Sequence, residues 1–344
     1  MAVVITCYNY AAHVRGAIES ALMQSVPYEQ IIVVDDGSTD DSLARIKEFS
    51  DRIIVVEKPN GGHLDACLAG LERVKAPWVH FLDADDRALP TFVERMSQFC
   101  QHGVSKVQCQ LEVVDGDGRP NGSVYPTFTE PYPSVSIRED NKLMGFYQCT
   151  PTSGNVFSTA FLRSLDLAIL NPRAALDGAA CLAAAYRGDI ISINEPLAQY
   201  GVHGESLSNS HAAPTVEQFE KELREFRGNW NDACRVLGLL EPPFGDTKPL
   251  YVLERELLTA ALSGRGTAKR TAAYLNRLAS THLTLKQKML QGLWITSLMI
   301  PNTSWRTQAI MLRRSGSNRP KWLQNIVGFI RRDTKNPKTI HEDR

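Results

Sequence analysis

The first hundred residues alternate short apolar runs with longer amphipathic segments, and this alternation restricts the fold more than any other feature. The apolar runs have the length and β-branched content of buried strands; they cover residues 3–5, 31–34, 53–56 and 78–82. The intervening pattern predicts helices over about 11–24, 41–49 and 64–74 and after Pro90. Buried strands separated by helices indicate a mainly parallel sheet with helices on both faces. Ligands of such sheets bind beyond the carboxyl ends of the strands.

The pattern changes after residue 104. Residues 107–114 are strand-like and precede a turn at 115–118, which predicts a hairpin followed by a long loop rich in Pro, Ser and Tyr. A helix over about 174–186 and strands at 190–193 and 197–202 complete the expected catalytic region. Beyond residue 215 the pattern is almost entirely helical. We therefore predict two domains, residues 1–210 and residues 215–344.

Acidic side chains follow two of the predicted strands. They are Asp35, Asp36 and Asp40 in VVDDGSTD and Asp83, Asp85 and Asp86 in HFLDADD. Asp, Gly and Ser also form turns and helix caps, but two such clusters on neighbouring strands favour a functional edge. An Asp-x-Asp segment offers hard oxygen ligands to Mg²⁺ or Mn²⁺ that also binds phosphate. No Gly-x-x-x-x-Gly-Lys-Ser/Thr and no Gly-x-Gly-x-x-Gly after the first strand is present, which disfavours Walker-type ATPases and dinucleotide dehydrogenases.

Four motifs occur in a characteristic order: ITCYN at 5–9, VVDDGSTD at 33–40, PNGG at 59–62 and FLDADD at 81–86. Over residues 2–206 the chain resembles the family 2 glycosyltransferases. The resemblance implies an α/β fold of GT-A type, with a mixed, mainly parallel sheet, helices on both faces and a helical C-terminal extension. It also implies an inverting enzyme that transfers a sugar from a nucleoside-diphosphate donor, linked to UDP, GDP or dTDP.

The same resemblance assigns donor-binding roles. Tyr8 is expected to stack on the nucleobase, Asp36 to accept a hydrogen bond from its ring N–H and Asp83 to contact the ribose. Asp85 is expected to coordinate the Mn²⁺ or Mg²⁺ ion that bridges the diphosphate. Thr6 belongs to this donor-binding set, although many members have proline at its position. His63 stands where glutamine is common and either touches a donor phosphate or caps a helix.

An inverting transfer needs a general base that takes the proton from the incoming hydroxyl group. Asp177, which follows a segment similar to the family's acceptor segment at 153–156, is the matching candidate. An acidic residue in the first turn of a helix also has a purely structural reading, because it interacts favourably with the helix dipole. In the closing YGVHGESLS segment, His203 is expected to complete the metal site or to bind a donor phosphate. The expected acceptor is a growing surface glycan or a lipid-linked saccharide.

Two other classes of function remain. A sugar-nucleotide pyrophosphorylase also has an acidic nucleotide site, but it would need a glycine-rich basic loop after the first strand, where this chain has Tyr-Asn-Tyr-Ala-Ala. A non-catalytic binding or scaffold protein would be favoured by loss of the acidic residues. Asp83, Asp85 and Asp177 are all present.

Charge is divided unevenly along the chain. The totals are 38 Lys+Arg and 38 Asp+Glu, but residues 1–260 carry a net charge of −13 and residues 261–344 a net charge of +13. The basic part also has aromatic and aliphatic residues at helical spacing, which favours contact with an anionic membrane surface through residues 281–332. Packing on the catalytic domain and formation of a homodimer are the alternatives. No nucleic-acid motif accompanies the basic region, so a nucleic-acid partner is not expected.

The cysteines and the N-terminus indicate the compartment. The seven cysteines are scattered without a Cys-x-x-Cys pair, which is typical of reduced thiols in a cytoplasmic protein. The first residues lack the basic and apolar stretches of a secretory signal, and no apolar run approaches the length of a transmembrane helix. We therefore expect a cytoplasmic protein that binds peripherally to the inner face of the plasma membrane.

Overall fold

The computed structural model describes residues 1–115, 118–126, 134–202, 214–281 and 283–314. Its N-terminal part has the predicted alternation of strands and helices. In chain order the elements are β1 (Ala2–Cys7), α1 (Val14–Leu22), β2 (Gln30–Asp35), α2 (Ser42–Lys47), β3 (Ile54–Glu57), α3 (His63–Arg73), β4 (Trp78–Asp83), β5 (Arg87–Ala88) and α4 (Phe92–Ser97). The predicted strands and helices of this region are thus confirmed, with ends that differ by a few residues.

The next part of the chain contributes both parallel and antiparallel strands. Its elements are β6 (Val104–Val114), β7 (Pro120–Tyr125), α5 (Ser134–Met144), β8 (Asn155–Ser158), α6 (Thr159–Arg163), α7 (Leu176–Arg187) and β9 (Asp189–Gly201). The predicted hairpin is confirmed, since Leu111 of β6 pairs with Tyr125 of β7 in an antiparallel register. The two strands predicted at 190–193 and 197–202 form the single strand β9. Its register on β6 shifts around Pro196, because proline cannot donate to a ladder and is accommodated at such irregularities.

One mixed sheet contains all the strands of the described residues, in the order β3-β2-β1-β4-β8-β6-β9-β5, with β7 paired to β6. Strands β1 to β4 are parallel, and β8 is antiparallel to its neighbours β4 and β6. The register places Thr6 of β1 opposite Val34 of β2 and opposite Asp83 of β4. The carboxyl ends of these three strands therefore meet at one edge of the sheet, as predicted.

Helices cover both faces of this sheet. One face packs against α3, α6 and α7, and the other packs against α1, α2 and α4. Alternate residues of β1 supply the two cores, with Val4 on the first face and Val3 and Ile5 on the second. The approach of α3 to β1 is close, because a Cβ atom on Gly70 would lie 2.3 Å from a methyl carbon of Val4.

The described C-terminal residues are helical, as predicted. Their elements are α8 (Val216–Leu237), α9 (Leu250–Leu262), α10 (Ala268–Ala279), α11 (Leu285–Ser297) and α12 (Thr303–Arg314). The chain divides into two compact units. As far as residues are described, the larger unit contains 1–209, 223–252 and 280–282, and the smaller contains 210–222, 253–279 and 283–344. The predicted domain boundary between 210 and 215 stays a prediction. No helix among the described residues is both long and apolar enough to cross a membrane.

Candidate active site

The turn after β1 is held by the acidic segment after β2. Asn9 has a left-handed backbone conformation (φ 58°), which asparagine tolerates better than most residues, and its side-chain oxygen accepts a hydrogen bond from the backbone N–H of Thr39 (2.8 Å). Asp40 accepts another from the backbone N–H of Ala11 (3.1 Å). The role of Asp40 is therefore structural. The turn leaves Tyr8 with 44% of its surface exposed at the carboxyl edge.

Asp36 is buried and anchors the PNGG segment. One carboxylate oxygen accepts hydrogen bonds from the Lys58 ammonium (2.5 Å) and the backbone N–H of Gly61 (2.9 Å), and the other accepts one from Gly62 (2.8 Å). Sequence reasoning assigned Asp36 to the nucleobase and did not single out Lys58. The structure places Asp36 at the predicted edge, and its contact with a nucleobase stays a prediction.

The PNGG segment also contacts the chain that leads into α7. Gly62 has φ +103°, and a Cβ atom there would lie 2.8 Å from the Cα atom of Arg173. The backbone N–H of Leu64, in the first turn of α3, donates to the carbonyl oxygen of Ala174 (3.1 Å). Glycine is needed here both for the backbone conformation and for the close approach.

His63 lies between Asp83, at the end of β4, and the start of α7. Its Nε2 atom is 3.4 Å from Oδ1 of Asp83, and its Nδ1 atom accepts a hydrogen bond from the backbone N–H of Leu176 (3.4 Å). These partners assign the ring proton to Nε2, which faces Asp83. The imidazole thus positions the N-terminus of α7 against the end of β4. This contact resembles the helix-capping alternative, although the helix concerned is α7 and not α3.

Asp177 lies in the first turn of α7. Burial raises its pKa, and the negative charge of Asp83 raises it further, while a hydrogen bond from Thr152 and the charge of Lys106 lower it. His63 contacts both Asp83 and the backbone of Leu176, so its ring links the end of β4 to the helical turn that carries Asp177. A carboxylate with a raised pKa that lines a pocket suits a general base.

The three carboxylates of FLDADD do not share one environment. Asp83 and Asp85 are partly exposed, whereas Asp86 is buried. One Asp86 oxygen accepts a hydrogen bond from the backbone N–H of Gly201 (2.9 Å), and the other has no partner among the described residues. Burial, followed by the charges of Asp83 and Asp85, raises the pKa of Asp86 well above its ordinary value. Asp86 thus joins the end of β4 to the end of β9, and Asp83 and Asp85 are the two partly exposed carboxylates of the segment.

The donor set fits a divalent cation that is shared with a substrate. Among the residues that the structure describes, no three His, Cys, Asp or Glu side chains converge as a complete metal site. Mg²⁺ is commonly held by one or two carboxylates together with substrate phosphates and water, and the partly exposed Asp83 and Asp85 can supply such carboxylates. His203, the second predicted ligand, lies outside the described residues and stays a prediction.

A pocket of about 380 Å³ opens beside Asp177. Its wall is rich in aromatic rings, namely Tyr125, Phe146, Tyr147, Phe226 and Trp230. Trp230 of α8 donates its indole N–H to the carbonyl oxygen of Gly145 (2.8 Å), the residue that follows α5. This bond holds α8 against the segment after α5. Sequence reasoning expected the catalytic domain to end at residue 210 and therefore missed Phe226 and Trp230 of α8. No local signal identifies those two, because only the tertiary fold brings α8 to the pocket.

Comparison with known sequences agrees with this architecture. Residues 2–164 match the model of the family described as glycosyl transferase family 2. An uncharacterised glycosyltransferase of Nostoc sp. is 31% identical over 230 residues, which cover 64% of this chain and 70% of the relative. The teichoic acid poly(glycerol phosphate) polymerase of Staphylococcus epidermidis is 35% identical over 91 residues, covering 25% of this chain and 13% of the relative. Chondroitin synthase of Pasteurella multocida is 33% identical over 97 residues, covering 27% and 10%.

Solved structures show the same fold. The S. aureus TarS fragment 1–349 superposes with a TM-score of 0.51 at 16% sequence identity, covering 92% of this chain and 91% of that one. The same fragment in complex with UDP-GlcNAc gives a TM-score of 0.50 over the same coverage. The predicted α/β fold of GT-A type is thereby confirmed. Together with the extent of the match to the Nostoc relative, these findings show that the chain is an enzyme of glycosyltransferase family 2.

Proposed function

We propose that this enzyme transfers a sugar from a nucleoside-diphosphate donor to a hydroxyl acceptor at the edge formed by β1, β2 and β4. The observation that carries the proposal is the contact of His63 with both Asp83, at the end of β4, and the backbone of Leu176, which precedes Asp177 in the first turn of α7. A donor-side carboxylate opposite an acceptor-side base is what a direct displacement needs.

On the donor side, Tyr8 stacks on the nucleobase, and Thr6 and Asp36 complete its surroundings. The exposure of Tyr8 at the end of β1 supports this role. Asp83 binds the ribose. UDP is the first nucleotide to test, because the TarS fragment was solved with UDP-GlcNAc, and GDP and dTDP follow.

Asp85, with His203, holds a Mn²⁺ or Mg²⁺ ion in this proposal. The ion supplies positive charge that stabilises the diphosphate leaving group. The support is the pair of partly exposed carboxylates on one turn, whose third neighbour Asp86 is turned inward to Gly201.

Asp177 takes the proton of the acceptor hydroxyl group as that oxygen attacks the anomeric carbon. The N-terminus of α7 and the charge of Lys106 favour the ionised carboxylate that this step requires. Attack from the side opposite to the leaving group inverts the anomeric centre, so an α-linked donor gives a β-linked product.

The acceptor is a growing surface glycan or a lipid-linked saccharide. The aromatic pocket beside Asp177 offers faces on which sugar rings stack. The names of two relatives, a chondroitin synthase and a teichoic acid polymerase, support a polymeric acceptor. We further propose that the enzyme acts in the cytoplasm at the inner face of the plasma membrane.

Calorimetric titration with UDP, GDP and dTDP, each with and without Mn²⁺, tests the donor side. We expect one nucleotide to bind in a metal-dependent manner. If none of the three binds, the donor assignment is wrong.

The Asp177→Asn variant tests the base. We expect it to retain donor affinity and to lose transfer by a factor of about 10² to 10⁴, the range typical of a removed general base. The exposed Asp166 provides the matched control, because Asp166→Asn should leave both quantities unchanged. Transfer by Asp177→Asn at the wild-type rate would exclude this role.

A further inference from the structure

A fully buried lysine lies in the sheet beneath the proposed acceptor side. Lys106, on β6, donates from its ammonium group to the side-chain oxygens of Gln108 and Asn155, each at 2.8 Å. Among the described residues no carboxylate forms an ion pair with it. A buried ammonium without an anion is strongly unfavourable, so the remaining neighbours of Lys106 need to be identified.

The remaining neighbours are two sulfur atoms and the faces of two aromatic rings, Tyr147 at 5.1 Å and Phe157 at 6.0 Å from ring centroid to the Lys106 nitrogen. The Sγ atom of Cys149 lies 3.1 Å from the Lys106 nitrogen, and the Sγ atom of Cys181 lies 3.5 Å from the same nitrogen. A hydrogen bond from Cys181, followed by the charge of Lys106, lowers the pKa of Cys149 to about 6 despite its burial. Burial and the neighbouring Cys149 raise the pKa of Cys181. At neutral pH the pair therefore consists of a thiolate at Cys149 and a thiol at Cys181.

Both sulfur-bearing side chains line the 380 Å³ pocket beside Asp177. All seven cysteines of the chain are described, and only Cys100 and Cys149 are partly exposed. Cys100 and Cys149 each lie 3.3 Å from a backbone carbonyl oxygen, that of Met96 and that of Thr150, but burial raises the pKa of Cys100 to about 12. Cys149 is thus the cysteine that combines access from a pocket with contact to a cation, the two conditions for a reactive thiol.

We propose that Cys149 is a nucleophilic modification site and that, with Cys181, it forms a dithiol that hydroperoxides oxidise. The Cys149 thiolate attacks one peroxide oxygen, the O–O bond breaks, and the departing hydroxide takes a proton from solvent to become water. The Cys149 sulfenic acid then reacts with the Cys181 thiol, which forms the S–S bond and releases a second water. Two thiols are oxidised and one hydrogen peroxide is reduced to two waters.

Oxidation removes the anion that pairs with Lys106 and ties the segment at 149 to α7. The first turn of α7 carries Asp177, so we expect the disulfide to slow transfer while donor binding is retained. This consequence rests on the proposed function of Asp177, whereas the reactivity of Cys149 does not.

Alkylation of the folded full-length chain with iodoacetamide at pH 7, followed by peptide mass spectrometry, tests the reactivity. We expect Cys149 to be labelled at least about tenfold faster than Cys100. Lys106→Met should reduce the Cys149 rate to that of Cys100. If that variant does not fold, Cys181→Ala gives the same test, because loss of the Cys181 hydrogen bond also slows Cys149. Equal rates for Cys149 and Cys100 in the wild type would overturn the proposal.

Hydrogen peroxide tests the pairing. We expect a Cys149–Cys181 cross-link that reductant reverses and that is absent from Cys149→Ser but retained in Cys100→Ser. A chain that forms no such link would overturn the dithiol. Transfer assayed before and after oxidation separates the two proposals: no transfer before oxidation contradicts the proposed function, and unchanged transfer after complete cross-linking contradicts the control of transfer by this pair.

Discussion

Gly62 connects the segment after β2, which carries Asp36, to the segment that leads into α7. Its N–H binds Asp36, and its missing side chain allows Arg173, in the segment before α7, to pass within contact distance. Residue 62 has a backbone φ of +103°, and the neighbouring atoms leave no space there for a Cβ atom. A substitution therefore affects both the Asp36 anchor and the approach to Asp177.

Gly62→Ala is expected to destabilise the fold by about 2 kcal/mol or more, because a positive φ alone costs on the order of 1 kcal/mol and the clash with the Arg173 backbone adds to it. Gly103→Ala is a matched control, since Gly103 has φ +84° but nothing within 4 Å of its Cβ position. Urea denaturation should give a clearly larger loss of unfolding free energy for Gly62→Ala. Equal losses of unfolding free energy in the two variants would show that the clash with Arg173 does not destabilise the fold.

The candidate site residues that sequence reasoning named lie inside motifs, and their roles stay predictions; among them are Tyr8, Asp36, Asp83, Asp85 and Asp177. The residues it missed act through partners that only the fold supplies. Lys58, which follows β3, contacts Asp36, which follows β2. Lys106 on β6 contacts Cys149, before β8, and Cys181 on α7. A charged residue in an apolar strand such as β6 is a visible signal, but the sequence contains no indication of what neutralises it.

Strand β4 carries a buried histidine that ties three elements together. His80 is fully buried, its Nδ1 atom accepts a hydrogen bond from the Tyr28 hydroxyl (2.8 Å), and its Nε2–H donates to the carbonyl oxygen of Ser153 (2.9 Å). Acceptance at Nδ1 requires the neutral ring, because both nitrogens of a protonated ring are donors. Burial lowers the pKa of His80 to about 4.

This depressed pKa predicts a loss of stability in mild acid. The unfolded chain binds a proton near pH 6.5, whereas the folded chain binds it only near pH 4, so stability is retained above pH 6.5 and falls as the pH drops toward 4. The contribution amounts to at most about 3 kcal/mol. Unfolding free energies from urea denaturation between pH 7.5 and 4.5 should show it.

The variant His80→Gln should reduce this pH dependence, and His102→Gln, at an exposed position, should leave it intact. Parallel pH profiles for the wild type and His80→Gln would contradict the assignment of a neutral His80.

At the level of elements, the sequence predicted the N-terminal strands and helices because their apolar periodicity is local. The division of β9 into two strands was wrong, because Asn194, Glu195 and Pro196 resemble a turn. In the structure β9 continues through these residues, and its register on β6 shifts between Ile193 and Pro196. The long pairing with β6 on both sides supports the continuous strand. Tertiary pairing here outweighs local turn preference.

At the scale of the whole molecule, the net charge of zero is the sum of a negative N-terminal part and a positive C-terminal part. The first 260 residues carry −13 and the last 84 carry +13. Among the described residues of the basic part, α11 begins at a capping box formed by Thr284 and Gln287. Leu285, Met289 and Leu293 follow at intervals of four residues on one side of this helix and are 75%, 59% and 68% exposed. Exposed apolar side chains within a basic region match an anionic bilayer surface.

Sedimentation with vesicles containing phosphatidylserine tests this match. We expect the full-length chain to bind and added salt to weaken binding, because anionic lipid attracts the basic region. Replacing Leu285, Met289 and Leu293 together with serine should weaken binding by at least about tenfold, since three partly inserted apolar side chains are lost. Leu240→Ser, at an exposed leucine outside α11, should have no effect. Failure of the full-length chain to sediment, or loss of a dimer instead of vesicle binding in the triple variant, would contradict the membrane proposal.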